Sequence, residues 1–361
     1  DVTYDQTQLD EYVERVLQLE AVACKDWLTN KVDRSVTGKI ARQQCQGEIQ
    51  LPLSDCGVVA LDYRGRAGIA TSIGHAPQAA LVDPAAGSVL SIAEALTNIV
   101  WAPLSEGLDS VSLSANWMWP CKNEGEDARL YRAVEACSDF ACSLRINIPT
   151  GKDSLSMTQK YGKDKVYSPG TVIISAGAEV SDIRKVVSPV LRTGVNSTIY
   201  YIDFSFDKLK LGGSAFAQSL DKIGKEVPTV QDSEYFANAF NAVQELINKE
   251  LILAGHDISA GGMITTMLEM NFANTEGGLE VSLDEIPEKD LVKILFSENP
   301  GILIQVEKTD EVEKILKKAG VAFIRLARPC DERHLLIHKD GADYQFFIDH
   351  LRDVWFESSY L

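Results

Sequence analysis

The 361-residue sequence lacks most of the features that announce a functional class. It holds no apolar run near the roughly 20 residues that a membrane-spanning helix needs. Its opening, DVTYDQTQLDEY, is acidic and has none of the basic-then-apolar pattern of a secretory signal. It does not begin with Met, so Asp1 reads as a cut or a cleavage point. Cations are scarce: 35 Lys and Arg stand against 52 Asp and Glu, a formal charge of −17. That argues against duplex nucleic acid, whose affinity rests on Lys and Arg placed on phosphates. It leaves open a nucleotide held through a divalent cation, because Mg²⁺ favours carboxylate ligands together with phosphate oxygens.

Cysteine chemistry is also missing. The seven Cys are odd in number, and none forms a C-x-x-C pair. A zinc site or a disulfide framework is unsupported, and reduced, buried thiols in a cytoplasmic setting are the expectation. Lys152 follows Gly151 but precedes Asp153, and the remainder of the G-x-x-x-x-G-K-[ST] loop is absent, which disfavours a Walker ATPase. Neither G-x-S-x-G nor H-E-x-x-H occurs, so nucleophilic and zinc-dependent hydrolysis lack support.

What is present reads as a globular α+β chain. Apolar content of 45% and charged content of 24% are ordinary. At about 150 residues per domain, the length suggests two. Spacing predicts a helix over 8–29, a hairpin from 57–63 and 67–74, and a helix over 85–102 with Ser88 as a possible cap. Further along, a strand is expected at 110–117, a helix at 128–144, a loop at 148–157 and a buried strand at 170–180. Pro189, Gly194 and Asn196 mark a boundary, giving an N-terminal half over 1–185, with the 8–29 helix ahead of its sheet, and a C-terminal half over 196–361. The second half reads strand, Gly-rich loop (LGGSAFAQ), helix at 234–250, Gly-rich loop (AGHDISAGG), helix, then strands near 301–306 and 321–326 around a helix at 310–319.

Two constellations could carry chemistry. Asp55 lies just before a strand, and Glu94 and Asn98 stand four apart on one helix face. Together they could ligate a hard cation. From spacing alone they equally fit a solvated helix face, although Ile92, Leu96, Ile99 and Val100 surround them with apolar residues, as in a buried helix. In HDISAGG, Asp257 and Ser259 precede paired glycines and a helical run, which suits an anion near a helix start or an ordinary turn and cap. His256 reads as a packed or polar loop residue.

Taken in order, DRSVTGKIARQQCQGEIQLPLSD, LVDPAAGSVLSIAEALTNI, LSANWM, GEDARLYRAVEA, IPTGKDSLSM, LGGSAFAQ and HDISAGG resemble the second synthetase repeat of the large formylglycinamide ribonucleotide amidotransferases, over nearly the whole chain. The resemblance implies the aminoimidazole ribonucleotide synthetase-like fold, with an N-terminal α+β sheet half and a C-terminal α+β half. It implies a fragment of an ATP- and glutamine-dependent ligase of purine biosynthesis that acts on formylglycinamide ribonucleotide. In this family one of two pseudo-symmetric sites is catalytic and the other holds an auxiliary Mg-ADP. The family's metal ligands for the auxiliary site fall on Asp55, Glu94, Asn98 and Asp257, and its nucleotide contacts on Lys25, Ser54 and Ser259. Catalytic residues stay unassigned. Lys152 and Asp153 either face the substrate or merely close a loop, and ENPG at 298–301 departs from the family's usual EELG. The implied partners are a first synthetase repeat and a glutaminase domain, neither of them in this chain, or a second copy of it. A stand-alone synthetase of the same superfamily and a nucleotide-stabilised scaffold are the competing readings.

Overall fold

Residues 1–31, 34 and 38–360 are described by a computed structural model of the chain. The DRSVTG stretch named above lies largely outside them. Leu9, Tyr12, Val13, Val16 and Leu17 fall on one face of α1 (Leu9–Leu17). The helix expected over 8–29 ends there, and α2 (Asp26–Lys31) starts afresh. Between them, Trp355 draws the chain into a turn: its Nε1 donates to Val22 O, and its carbonyl accepts from Cys24 N. Tertiary docking here overrides helix propensity.

The first sheet follows. Its strands and the elements around them are β1 (Ile40–Arg42), β2 (Cys45–Gln46), β3 (Leu51–Pro52), β4 (Gly57–Ala60), β5 (Gly68–His75), α3 (Pro77–Val82), α4 (Pro84–Ile99), β6 (Ser112–Met118), α5 (Glu126–Ser143), β7 (Asn147–Ser154), β8 (Thr158–Tyr161), β9 (Asp164–Tyr167) and β10 (Thr171–Val180). The sheet runs β1-β4-β5-β10-β6-β7, antiparallel except for the β6–β7 pair. Asp83, not Ser88, caps α4, its carboxylate accepting from Ala85 N and Ala86 N. Pro84 fits the first helical position, where no N–H is needed. Ser88 lies a turn inside, its hydroxyl donating to Pro84 O. The expected loop at 148–157 is mostly β7.

The second sheet is built from β11 (Thr198–Asp203), β12 (Ala254–Ile258), β13 (Gly278–Ser282), β14 (Gly301–Val306), β15 (Ile324–Cys330), β16 (His334–Lys339) and β17 (Ala342–Phe347). Its order is β12-β14-β11-β15-β13-β16-β17. Helices α6 (Ala215–Ser219), α7 (Ser233–Asn248), α8 (Gly262–Phe272), α9 (Leu291–Phe296), α10 (Thr309–Lys318) and α11 (Ile348–Glu357) cover it. The start of AGHDISAGG, expected as a loop, is the buried strand β12.

Alternation along the strands sorts residues into two cores. Ala70, Leu113, Val172 and Ile174 of the first sheet face α4, α5 and α7, and the far side of that layer meets Tyr200, Ile202, Ile302 and Ile304 of the second sheet. Ile199, Tyr201 and Leu303 point the other way, into a core with α1, α8, α9 and α11. The layers therefore run sheet, helices, sheet, helices. Among the described residues, no layer covers the outer face of the first sheet: Ile69 is 46% exposed and Ile73 58%. Among the described residues, no helix is long and apolar enough to cross a membrane.

Candidate functional site

The short segment between β3 and β4 delivers Asp55, and β12 delivers His256 and Asp257. His256 Nδ1 lies 2.8 Å from Asp55 Oδ1 and 3.3 Å from Asp257 Oδ1, while Nε2 meets Glu269 Oε2 of α8 at 3.0 Å. All three residues at the Nδ1 end are nearly sealed from solvent, with side-chain exposures of 5% for Asp55, 8% for His256 and 3% for Asp257. The Nδ1–Asp55 contact is a close ion pair, while Asp55 Oδ2 and Asp257 Oδ2 have no hydrogen-bond partner. The contact is one of charge and proximity. Thr266 Oγ1 donates to Asp257 O and fixes the strand end.

Charge follows burial here. Burial raises the Asp55 carboxyl to about 7, against the pull of His256. On His256, burial opposes the charge, but Asp55, Asp257 and Glu269 outweigh it and hold the ring well above the ordinary histidine value. Ligand atoms of Asp55, His256 and Asp257 lie within 4.8 Å of one another. Two buried carboxylates without enough donors form a set that a hard cation would satisfy. The donor chemistry thus fits a divalent ion on the two Asp carboxylates, with His256 tied back to Glu269.

Asp55 and Ser54 line a cavity of about 620 Å³ together with Arg34, Arg42, Thr71 and Ile73. That size suits a nucleotide-sized ligand. Buried polar atoms without partners collect here. Of eight such side-chain atoms among the described residues, five are Arg42 Nε, Ser54 Oγ, Asp55 Oδ2, His256 Nδ1 and Asp257 Oδ2, on or beside this cavity. Native interiors rarely leave such atoms unpaired without a ligand or water to meet them.

Glu94 and Asn98 both grip β5 from α4. Glu94 Oε2 accepts from His75 N at 2.6 Å, and Asn98 Nδ2 donates to Ile73 O at 2.9 Å. Gly74 makes this approach possible, since a Cβ there would stand 2.3 Å from both Ser91 O and Ala95 N of α4. Glu94 is outside the Asp55–His256–Asp257 cluster. It lines a smaller, adjoining cavity of about 170 Å³ with His75, Gly212, Gly213, Ser259 and Glu298. Ile73 of β5 borders the larger cavity and His75, two residues on, the smaller one. Lys25 lies in neither wall. Its Nζ donates to Ala23 O, burial holds its amine below the ordinary lysine value, and it is within electrostatic reach of Glu269. Lys152 and Asp153 sit on the edge strand β7, opposite Asn116 and Trp117.

Sequence reasoning did not assign His256 or Glu269 to this site, and it made no claim for Glu298. His256 was legible only as a neighbour of Asp257. Its pairing with Asp55 joins residues about 200 positions apart, which no local spacing reports.

Comparison with known proteins adds the family. Residues 24–179 match the FGAR-AT PurM_N-like domain, and residues 196–335 match the C-terminal domain of AIR synthase related proteins. A probable phosphoribosylformylglycinamidine synthase of Caenorhabditis elegans is 40% identical over 347 residues, covering 91% of this chain and 26% of that protein. The Homo sapiens phosphoribosylformylglycinamidine synthase is 38% identical over 96% of this chain and 26% of its own length. The chain thus spans about a quarter of the curated relatives it matches. Among solved structures, Thermotoga maritima PurL complexed with FGAR shares the fold at a TM-score of 0.71 and 17% identity, over 98% of this chain and 54% of that one. The same protein complexed with ADP gives 0.69 at 15% identity, over 95% and 51%. The two matches stand in tandem, so the chain carries an FGAR-AT PurM_N-like domain followed by an AIR synthase related C-terminal domain, with the AIR synthase-like α+β fold and about a quarter of its relatives' length.

Proposed function

We propose that this chain is the magnesium-nucleotide-holding synthetase repeat of a phosphoribosylformylglycinamidine synthase. The observation that carries the reading is the set of unpartnered buried atoms around the 620 Å³ cavity, Ser54 Oγ, Asp55 Oδ2 and Asp257 Oδ2 above all. In this reading Asp55 and Asp257 hold Mg²⁺, with Glu94 on the wall of the smaller cavity and Asn98 one turn along α4 completing the ligand set. Ser54, Ser259 and Lys25 contact the nucleotide, which is ADP or ATP. When bound, Mg²⁺ neutralises phosphate charge. The chain's own residues then do the rest: His256 and Glu269 hold the Asp carboxylates in place, and α4 keeps Glu94 and Asn98 against β5. The relatives' names and ligands, FGAR, ATP and ADP, support the same class of chemistry.

The whole enzyme's amidation of formylglycinamide ribonucleotide, driven by ATP and glutamine, belongs in this proposal to an assembly that includes a first synthetase repeat and a glutaminase domain. The exposed face of the first sheet, with Ile69 and Ile73, supports a docking role toward such a repeat or a second copy. Division into halves over 1–185 and 196–361 is part of the same reading, as is a cytoplasmic setting, which seven free cysteines support.

Titration calorimetry with Mg-ADP tests it. The parent chain is expected to bind, and Asp55→Ala to weaken binding by more than about tenfold, the scale of a lost buried charge contact. No binding by the parent, or an Asp55→Ala curve that overlays it, refutes the assignment.

A further inference from the structure

Glu298 follows α9, at the entrance to β14, half-buried on the wall of the smaller cavity. Its Oε1 accepts two backbone hydrogen bonds, from Ala215 N at 2.7 Å and from Gly261 N at 2.8 Å. Ala215 opens α6 directly after the glycine-rich turn 211–214, and Gly261 precedes α8 in the turn that carries Ser259. Both turns, with Glu94, wall the 170 Å³ cavity beside the Asp55–Asp257 cluster. A single carboxylate oxygen therefore ties together two chain segments that are otherwise far apart in sequence.

The paired glycines of SAGG read as a place where backbone N–H groups meet an anion, whereas LGGS alone is too short to carry that reading. The anion that meets both turns is internal. Gly261 N and Ala215 N are already spent on Glu298, so neither serves a phosphate.

Resting on the magnesium-nucleotide reading above, we propose that Glu298 is a positioning residue for that site, a strut that sets the turn bearing Ser259 against the 211–214 turn and the Glu94 wall. Its influence on the ligand runs through the backbone it holds.

Three variants of the full chain test this, with Mg-ADP as the probe. Glu298→Gln keeps an acceptor oxygen and binds as the parent does. Glu298→Met fills the volume without an acceptor and weakens binding by about tenfold, the scale of lost buried hydrogen bonds. Ala215→Pro removes one of the two donors at a first helical position, where Pro is tolerated, so it tests the bond even if the Met variant does not fold. It is expected to weaken binding by about threefold, as one bond of the pair is lost. Amide exchange at Gly261 rises in the Met variant and not in the Gln variant, a local readout that a general loss of stability does not reproduce. Parent-like affinity in Ala215→Pro or in folded Glu298→Met overturns the proposal, as does equal weakening by Gln and Met. If the parent itself shows no binding, or Asp55→Ala matches it, the nucleotide reading fails and takes the strut with it. If Asp55→Ala loses binding while the Glu298 and Ala215 variants do not, the strut alone is wrong.

Discussion

His256 bridges the carboxylates of Asp55 and Asp257 at Nδ1 to Glu269 at Nε2, and its removal leaves three carboxylates clustered without their cation. Breaking a buried charge arrangement by deleting one partner typically costs about 3–5 kcal/mol. His256→Ala should therefore lower the unfolding free energy of the metal-free protein, read from urea titration, by that scale, with Mg²⁺ recovering part of the loss. An unfolding free energy unchanged in both conditions would contradict the electrostatic account. Glu298 yields a pH prediction. Burial raises it from 4.5 to about 7, in spite of two backbone donors. The folded state then holds a proton that the unfolded state releases, so this stabilisation is complete below about pH 4.5 and is lost as pH rises through about 7. Against Glu298→Gln, the parent should grow relatively weaker across that window, read from urea midpoints at each pH. A constant difference sinks the claim. Of these residues, Asp55 and Asp257 were legible from the sequence through the order of surrounding motifs. His256 and Glu298 were not, because what defines them is burial and contacts made from distant segments.

The packing of β5 on α4 is where the elements place the chemistry. Gly74→Ala would put a methyl group against two backbone atoms of α4, neither of which can step aside as a side chain could. Overpacking of this kind costs typically 1–3 kcal/mol, about 2 kcal/mol being expected here. It should also weaken Mg-ADP binding by displacing Glu94, and circular dichroism melts with calorimetry would show whether the two effects arrive together. Helices and hairpins of the first half were readable because their periodicity is strong: α4, α5, β5 and β10 fall close to the expected spans. Two elements were misread for physical reasons. Strand β7 contains Pro149 and Gly151, which signal a loop, yet it is an edge strand, and edges tolerate proline. Strand β12 is buried along its whole length, so its residues lack the alternation by which half-exposed strands are recognised.

At the scale of the molecule, the uncovered outer face of the first sheet predicts association. Ile69 and Ile73 stand in line on β5 on either side of Thr71, with Glu179 and Ser175 respectively opposite them on β10. Apolar sheet faces left open usually find a partner. Sedimentation velocity should show concentration-dependent pairing of the parent that the double variant Ile69→Lys, Ile73→Lys abolishes. A parent that stays monomeric at every concentration speaks against the face as an interface. The isolated chain should also turn over no formylglycinamide ribonucleotide with ATP and ammonia, and detectable product would remove the division of labour proposed above. The layer order itself could not be read from the sequence, since it depends on which face of each strand meets which helix.

One bond set across the two sheets has a mechanical side. Gln244 of α7 accepts from Leu104 N and donates to Val100 O and Ala102 O, just past the end of α4. Beside it, Trp101 lies so close to Gly255 of β12 that a Cβ there would stand 2.2 Å from the indole. The helix carrying Glu94 and Asn98 is thus keyed at one end to the strand carrying Asp257. Among the described residues these contacts brace the two walls of the site against each other like the sides of a jaw, so a ligand that enters meets a seat whose two sides are already joined.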